Sequence, residues 1–151
     1  MPPPRGDARV IWSWALFDFA NSPFATLVVT FVYATYFTSS IAADEIHGTA
    51  LWSRGVTITA LLVALGSPVL GALADRGGYR KRFLLVSVLI CVAGTTALYT
   101  VLPGQVLLAL TLVVVANVAF ELSEVFYNAF LPDIAPRARV GAVSGLGWGL
   151  G

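Results

Sequence analysis

The sequence predicts an all-α, polytopic transmembrane helix bundle. Three observations predict it. Of 151 residues, 58% are hydrophobic and 11% charged, with a mean hydropathy of +0.83, whereas a soluble domain carries about 25% charged residues. The charges are also clustered: no Asp, Glu, Lys or Arg occurs from Phe19 to Ala43, from Gly55 to Ala74, or from Phe83 up to Glu121. A bilayer core of about 30 Å takes about 20 apolar residues of helix to cross, and soluble helices apolar all round over such lengths are rare. Finally, eight of the nine basic residues fall on one side of the alternation that these runs define. A transmembrane barrel is excluded, because its strands alternate in segments of about ten residues and these runs are continuous.

Residues 1–9 form a short tail, Pro-rich and basic, expected to be disordered. The remainder, residues 10–151, reads as a partial N-terminal transmembrane half. Its first span covers about residues 10–38 and is interrupted by Asp18, Asn21, Ser22 and Pro23. The proline removes a backbone hydrogen bond and should kink or locally open the helix. Residues 39–51 read as a loop with Asp44, Glu45 and His47, and the second span covers about residues 52–74. A tight basic turn follows at 75–82, with Gly77 and Gly78. The third span, 83–102, carries no charge, and Pro103-Gly104-Gln105 is a turn so short that the third and fourth spans must be antiparallel neighbours. The fourth span runs to about residue 131, a second charged loop covers 132–139, and a fifth helix, 140–151, is incomplete where the sequence stops.

Arg5, Arg9, Arg76, Arg80, Lys81, Arg82, Arg137 and Arg139 share one side, and Arg54 lies on the other. Basic residues mark the cytoplasmic side, so the N-terminus is expected inside and Asp44 and Glu45 outside. A multi-pass protein of a prokaryotic cell membrane is the expectation. The first apolar stretch is too long, and carries Asp18 too early, for a cleavable leader. A net charge of +1 gives no basic stripe for nucleic acid. Cys91 is alone and reads as a small packing residue. His47 has no Cys or His companion, so no metal site is expected. No cofactor motif and no nucleophile with a base is present, so an enzyme is the least expected class.

Three acids lie inside the spans: Asp18, Glu121 and Glu124. Each costs about 2.5–3.5 kcal/mol at the midplane on insertion scales, so each is expected to face protein or water. Asn117, Glu121, Glu124 and Asn128 are spaced by four, three and four residues, which places them on one helical face. Asp18, Asn21 and Ser22 form a similar face on the first span. At about 1.5 Å of rise per residue, Asp18 lies roughly 12 Å from the basic end of its helix, and Glu121 and Glu124 roughly 15 and 10 Å from theirs. Acids at comparable depth on neighbouring helices would line one polar cavity. A structural role, bonding amides freed by Pro23 or pairing with the asparagines, is the alternative reading. A pair of like acids three residues apart disfavours double ionisation, which suits a proton carrier.

The turn after the second span reads Gly71-Ala72-Leu73-Ala74-Asp75-Arg76-Gly77-Gly78-Tyr79-Arg80-Lys81-Arg82. It resembles the signature of the major facilitator superfamily, G-x-L-A-D-R-x-G-x-K/R-x, with Gly71, Asp75, Arg76, Gly78 and Arg80 matching and Tyr79 departing. The segments Trp14-Ala15-Leu16-Phe17-Asp18-Phe19-Ala20-Asn21-Ser22, Phe126-Tyr127-Asn128-Ala129-Phe130-Leu131-Pro132 and Ser144-Gly145-Leu146-Gly147-Trp148-Gly149 are similar to the vacuole-effluxer-like branch of that superfamily. The resemblance implies a major facilitator fold of twelve spans, of which this chain would hold the first four and the start of the fifth. It implies a secondary transporter that works by alternating access on a small polar solute, with amino acids the leading candidates. Asp75 and Arg76 would then help to hold two halves together at the cytoplasmic side. In such folds the first and fourth helices occupy equivalent positions, and interrupted segments there point to the binding site.

Proton coupling through Asp18, Glu121 or Glu124 is a hypothesis that rests on acids at membrane depth. The expected partners are the solute, lipid, protons and the C-terminal part of the same transporter. Gly141, Gly145 and Gly149, spaced by four, favour close helix packing. The rival reading is a non-transporting membrane scaffold or an inactive truncated product.

Overall fold

The computed structural model describes residues 5–151, and among these every regular element is helical. Four helices are long and apolar enough to cross a membrane: α1 (Ala8–Ile41), α2 (Glu45–Gly77), α3 (Arg80–Thr100) and α4 (Val106–Ile134, regular to Asn128). The short helix α5 (Leu131–Ile134) closes α4, and α6 (Val140–Leu150) follows. Large apolar side chains such as Leu27, Phe31, Leu65, Leu89 and Leu107 point outward all around the bundle. In water that surface would aggregate; in a bilayer it is the expected contact with lipid.

The chain is helical earlier than the sequence suggests at two places. The tail was expected to be disordered through Arg9, and its residues 1–4 lie outside the described residues. Beyond them, Asp7 caps α1 by accepting the amide of Arg9 at 2.9 Å, and Gly6 donates its amide to the Ile134 carbonyl at 2.8 Å. Likewise α2 starts at Glu45, inside the segment read as a loop, because the Asp44 carboxylate accepts the His47 amide at 2.9 Å and its ring Nδ1 lies 2.7 Å from the other oxygen. Side-chain capping satisfies donors that the helix leaves free, so it sets the start.

Those same bonds hold the Asp44 carboxyl below the ordinary carboxylate range, the His47 amide contributing most and its side chain next. A lowered value adds stability above the unfolded pKa, which is lost as pH falls through the folded value. Amide exchange at His47, corrected for intrinsic rates, is therefore expected to stay level from neutral pH down to about 5 and to quicken below about 4. Asp44→Ala should show the quickened exchange at every pH.

α1 is not a uniform α-helix. It is α-helical from Ala8 to Pro23, passes into a π-helix over Phe24–Phe31, returns to α over Val32–Tyr36 and ends in π turns at Phe37–Ile41. The Val32 amide bonds the Leu27 carbonyl, five residues back. The opening expected at Pro23 thus takes the form of a changed hydrogen-bond register, which often occurs at functional sites.

The turn between α2 and α3 is narrower than the expected 75–82. Gly78 has φ +65°, its amide bonds Asp75 O, and the Tyr79 amide bonds Ala74 O at 2.9 Å. This is the six-to-one and five-to-two pattern that glycine closes most cheaply. Gly78→Ala is expected to lower stability by about 1–2 kcal/mol, measured as a drop in the midpoint of thermal unfolding in detergent.

α4 is the central helix. At the basic end Trp14, Ala15, Tyr127, Ala135 and Val143 are buried together, and Trp14 stacks on Tyr127 at 4.4 Å. Midway, Phe24, Cys91, Ala116 and Ala119 join α1, α3 and α4, with Gly94 close against Ala116. At the far end Phe37, Ile41, Val101 and Ala109 pack, and the Gly104 amide bonds Ile41 O at 3.1 Å. These three layers fix α1 beside α4, and so bring their polar faces together.

Candidate functional site

Between α1 and α4 runs a polar seam. Asn21 Nδ2 donates to Glu124 Oε1 at 2.6 Å and reaches Ser123 Oγ at 3.4 Å. Ser123 is fully buried and donates to Phe120 O at 2.7 Å. Ser22 Oγ donates to the Asp18 carbonyl at 2.9 Å, which leaves the Asp18 carboxylate without a side-chain donor among the described residues. Asp18 and Glu124 open onto one cavity of about 430 Å3, lined also by Ser22, Thr26, Phe120, Trp148 and Gly151. The helical offsets thus converge: Asp18 and Ser22 sit on one wall of the cavity and Glu124 on the other, and Asn21 bonds Glu124 across the seam.

The other sequence-predicted residues fall differently. Asn117 is buried within the bundle, one turn beyond the cavity. Glu121 is exposed on α4 and does not line the cavity. Asn128, also exposed, donates to the Glu124 backbone carbonyl at 2.9 Å and so trims the end of α4. Sequence reading missed Ser123, Phe120 and Trp148. Ser123 carried a trace, as a hydroxyl beside an acid within an apolar run.

Glycine also sets how closely α6 approaches α1 among the described residues. A Cβ at Gly141, Gly145 or Gly149 would meet nothing within 4 Å. At Gly147 it would lie 2.6 Å from Trp14 Cζ3, and at Gly151 2.7 Å from Ser22 Oγ and 2.9 Å from Asp18 Oδ2. The close approach of α6 to α1 therefore runs through Gly147 and Gly151.

At the basic end Arg80 is a hub. Its Nε donates to Asp75 Oδ1 at 2.6 Å, and its Nη1 donates to Asp133 Oδ2 at 2.8 Å and to Ala129 O at 3.1 Å. One half-buried guanidinium thus ties the end of α2, the start of α3 and the end of α4. The planar fork of arginine suits such a multidentate task. Arg76 is exposed, and Gly71 faces open space. Asp133, unremarked in the sequence, completes the cluster.

Membrane-length helices and outward-facing apolar side chains around a seam of acids and amides define a multi-pass integral membrane protein with the major facilitator fold. The chain belongs to the family described as vacuole effluxer Atg22 like, whose model matches residues 40–142. It is similar to the uncharacterized MFS-type transporter YxiO of Bacillus subtilis (strain 168), 34% identical over 142 residues that cover 92% of this chain and 33% of that protein. It is also similar to autophagy-related protein 22 of Coccidioides immitis (strain RS), 37% identical over 88 residues, 58% of this chain and 15% of that one. The chain thus spans about a third or less of the length of these relatives. No solved structure matches it.

Proposed function

We propose that this chain forms part of a secondary transporter that moves a small polar solute, amino acids being the leading candidates, by alternating access. The observation that carries the reading is the cavity of about 430 Å3 in which Asp18 and Glu124 face each other's side of an α1–α4 seam. Carboxyls inside a membrane are costly and face pathways or partners. In this reading α1 and α4 line the solute path, and Asp18, Glu124 or Glu121 couples it to protons. Asn21 from α1, and Asn117 and Asn128 from α4, supply amides on either side of that path, Asn21 directly on Glu124. The basic end, with Gly71, Asp75, Arg76, Gly78 and Arg80, faces the cytoplasm of a prokaryotic cell and holds the gate. Gly141, Gly145 and Gly149 offer a flat face of α6 to helices outside the four spans. Two pseudosymmetric halves need more spans than these, and the greater length of the relatives supports their coming from the same polypeptide.

The test is uptake into vesicles under an imposed pH gradient, in a polypeptide of the relatives' length that begins with this chain. Asp18→Asn and Glu124→Gln are expected to lower gradient-driven uptake by about a hundredfold, the lower end of what a positioned acid–base group contributes. Unchanged gradient dependence in Asp18→Asn, Glu121→Gln and Glu124→Gln alike would sink proton coupling, and absence of any solute flux would sink the transporter.

A further inference from the structure

The Tyr127 ring is held on both faces of the α1–α4 contact, yet its hydroxyl has no partner. The ring stacks on Trp14 at 4.4 Å and on Phe17 at 5.2 Å, and the Trp14 indole N–H donates to the Tyr127 carbonyl at 3.2 Å. Only 3% of the residue is exposed, and its hydroxyl oxygen, fully buried, bonds no atom among the described residues. The helices described here already close over that oxygen, so further spans would have no access to it. A buried polar atom without a partner costs stability, and Phe would fill the same seat without that cost. Orphaned groups of this kind are rare in folded proteins and often belong to a functional site.

Helix register says which polar group lies nearby. Trp14 and Asp18 are four residues apart on α1, and Glu124 and Tyr127 three apart on α4. The stack therefore lies one turn from both carboxyls, toward the basic end. α6 passes both levels. A Cβ on Gly147 would lie 3.3 Å from the Tyr127 hydroxyl, and one on Gly151 2.9 Å from Asp18 Oδ2. Four residues of helix rise about 6 Å, so hydroxyl and carboxylate stand on the order of 6 Å apart along one glycine face. One water spans such a gap with two hydrogen bonds of about 2.8 Å. Tyr127 offers a donor without an acceptor, and Asp18 an acceptor without a side-chain donor. Glu124 faces Asp18 from α4 across the cavity, but it already accepts from Asn21 at 2.6 Å. Glu121, also on α4, does not line the cavity, α6 carries no charged side chain, and Asp18 is the one charged residue of α1 beyond Arg9.

We propose that Tyr127 is a positioning residue for Asp18: its hydroxyl donates, through one water, to the ionised carboxylate and so eases loss of the Asp18 proton. The proton passes to water in the cavity, and Tyr127 keeps its own. The inference rests on the proposed part of Asp18 in proton coupling. The test uses a polypeptide of the relatives' length that begins with this chain, purified in detergent. Infrared difference spectra titrate the protonated-carboxyl band that Asp18→Asn removes. Tyr127→Phe is expected to move the midpoint of that band about one pH unit higher, the equivalent of one hydrogen bond to a charged group. The midpoint of thermal unfolding should stay level or rise. Gradient-driven uptake into vesicles should shift its pH profile in the same direction as the band. Tyr33→Phe removes another buried, unpartnered tyrosine hydroxyl, packed near Phe37 and Trp52 at the far end of α1, and should move neither. A band midpoint unmoved by Tyr127→Phe, or moved equally by Tyr33→Phe, would overturn the proposal. So would the absence of any band sensitive to Asp18→Asn, since Asp18 would then carry no proton to release. The band reads Asp18 without transport, so a lack of solute flux would count against the transporter alone.

Discussion

Arg80→Gln is expected to destabilise the basic end of the bundle by about 2 kcal/mol, because hydrogen bonds to charged groups are worth about 1.5–3 kcal/mol each. The effect exceeds that of an ordinary surface pair because three acceptors depend on one side chain: Asp75, Asp133 and the Ala129 carbonyl. Without the guanidinium, two carboxylates from different helices face one another with nothing between them. Arg80→Lys should recover less than half of the loss, since an ammonium is a point charge and cannot serve three acceptors in a plane. Arg76→Gln, four residues away and exposed, should stay within about 0.5 kcal/mol of the wild type. Thermal unfolding in detergent across the three variants reads the difference. Equal midpoints for Arg80→Gln and Arg76→Gln would show that the cluster is decorative.

Asn21→Leu is expected to cost about 2 kcal/mol, by leaving the part-buried Glu124 carboxyl without its 2.6 Å donor. An orphaned polar group loses its desolvation energy outright, about 1–3 kcal/mol, whereas removing both partners can be nearly neutral. The double variant Asn21→Leu with Glu124→Met should therefore recover most of the loss. Hydrogen bonds between transmembrane helices average about 0.6 kcal/mol in double-mutant cycles and reach about 1.7, so the coupling between these two positions should fall at the upper end. Additive effects would mean that the bond contributes nothing. If Glu124 couples transport to protons as proposed, the paired variant also separates stability from transport: it should fold and yet lose gradient dependence.

The fold was legible wherever one physical rule acted alone. Span length and the absence of charge fixed the four crossing helices, and helical offsets put Asp18, Asn21 and Glu124 on facing surfaces. The same offsets put Gly141, Gly145 and Gly149 on one face of α6, which meets no neighbour among the described residues. Periodicity says which residues share a face, but not which face a neighbour meets, and the neighbour meets Gly147 and Gly151. Glu121 is a similar case, grouped by spacing with Glu124 yet turned out of the cavity. Ser123 and Asp133 act through partners on remote segments, Asn21 and Arg80. Pairings over such sequence distances leave at most a weak local trace, such as the Ser123 hydroxyl beside an acid within an apolar run. The start of α2 is different, since the capping pattern of Asp44 and His47 is local and was outweighed by the clustering of polar residues around it.

The eight-residue π stretch of α1 has a consequence for how this helix tolerates lengthening and shortening. A π turn holds an additional residue within the ladder, and rejoining the α ladder shifts the angular phase of everything beyond it by about 100° per residue. A single deletion between Phe24 and Phe31 could be absorbed by reverting one wide turn, with Asn21 staying on Glu124 and Phe37 staying in its layer. The same deletion between Arg9 and Asn21, where the ladder has no spare residue, would swing Trp14 and Asp18 out of their seats. Natural length variation in α1 should accordingly gather from Phe24 onward.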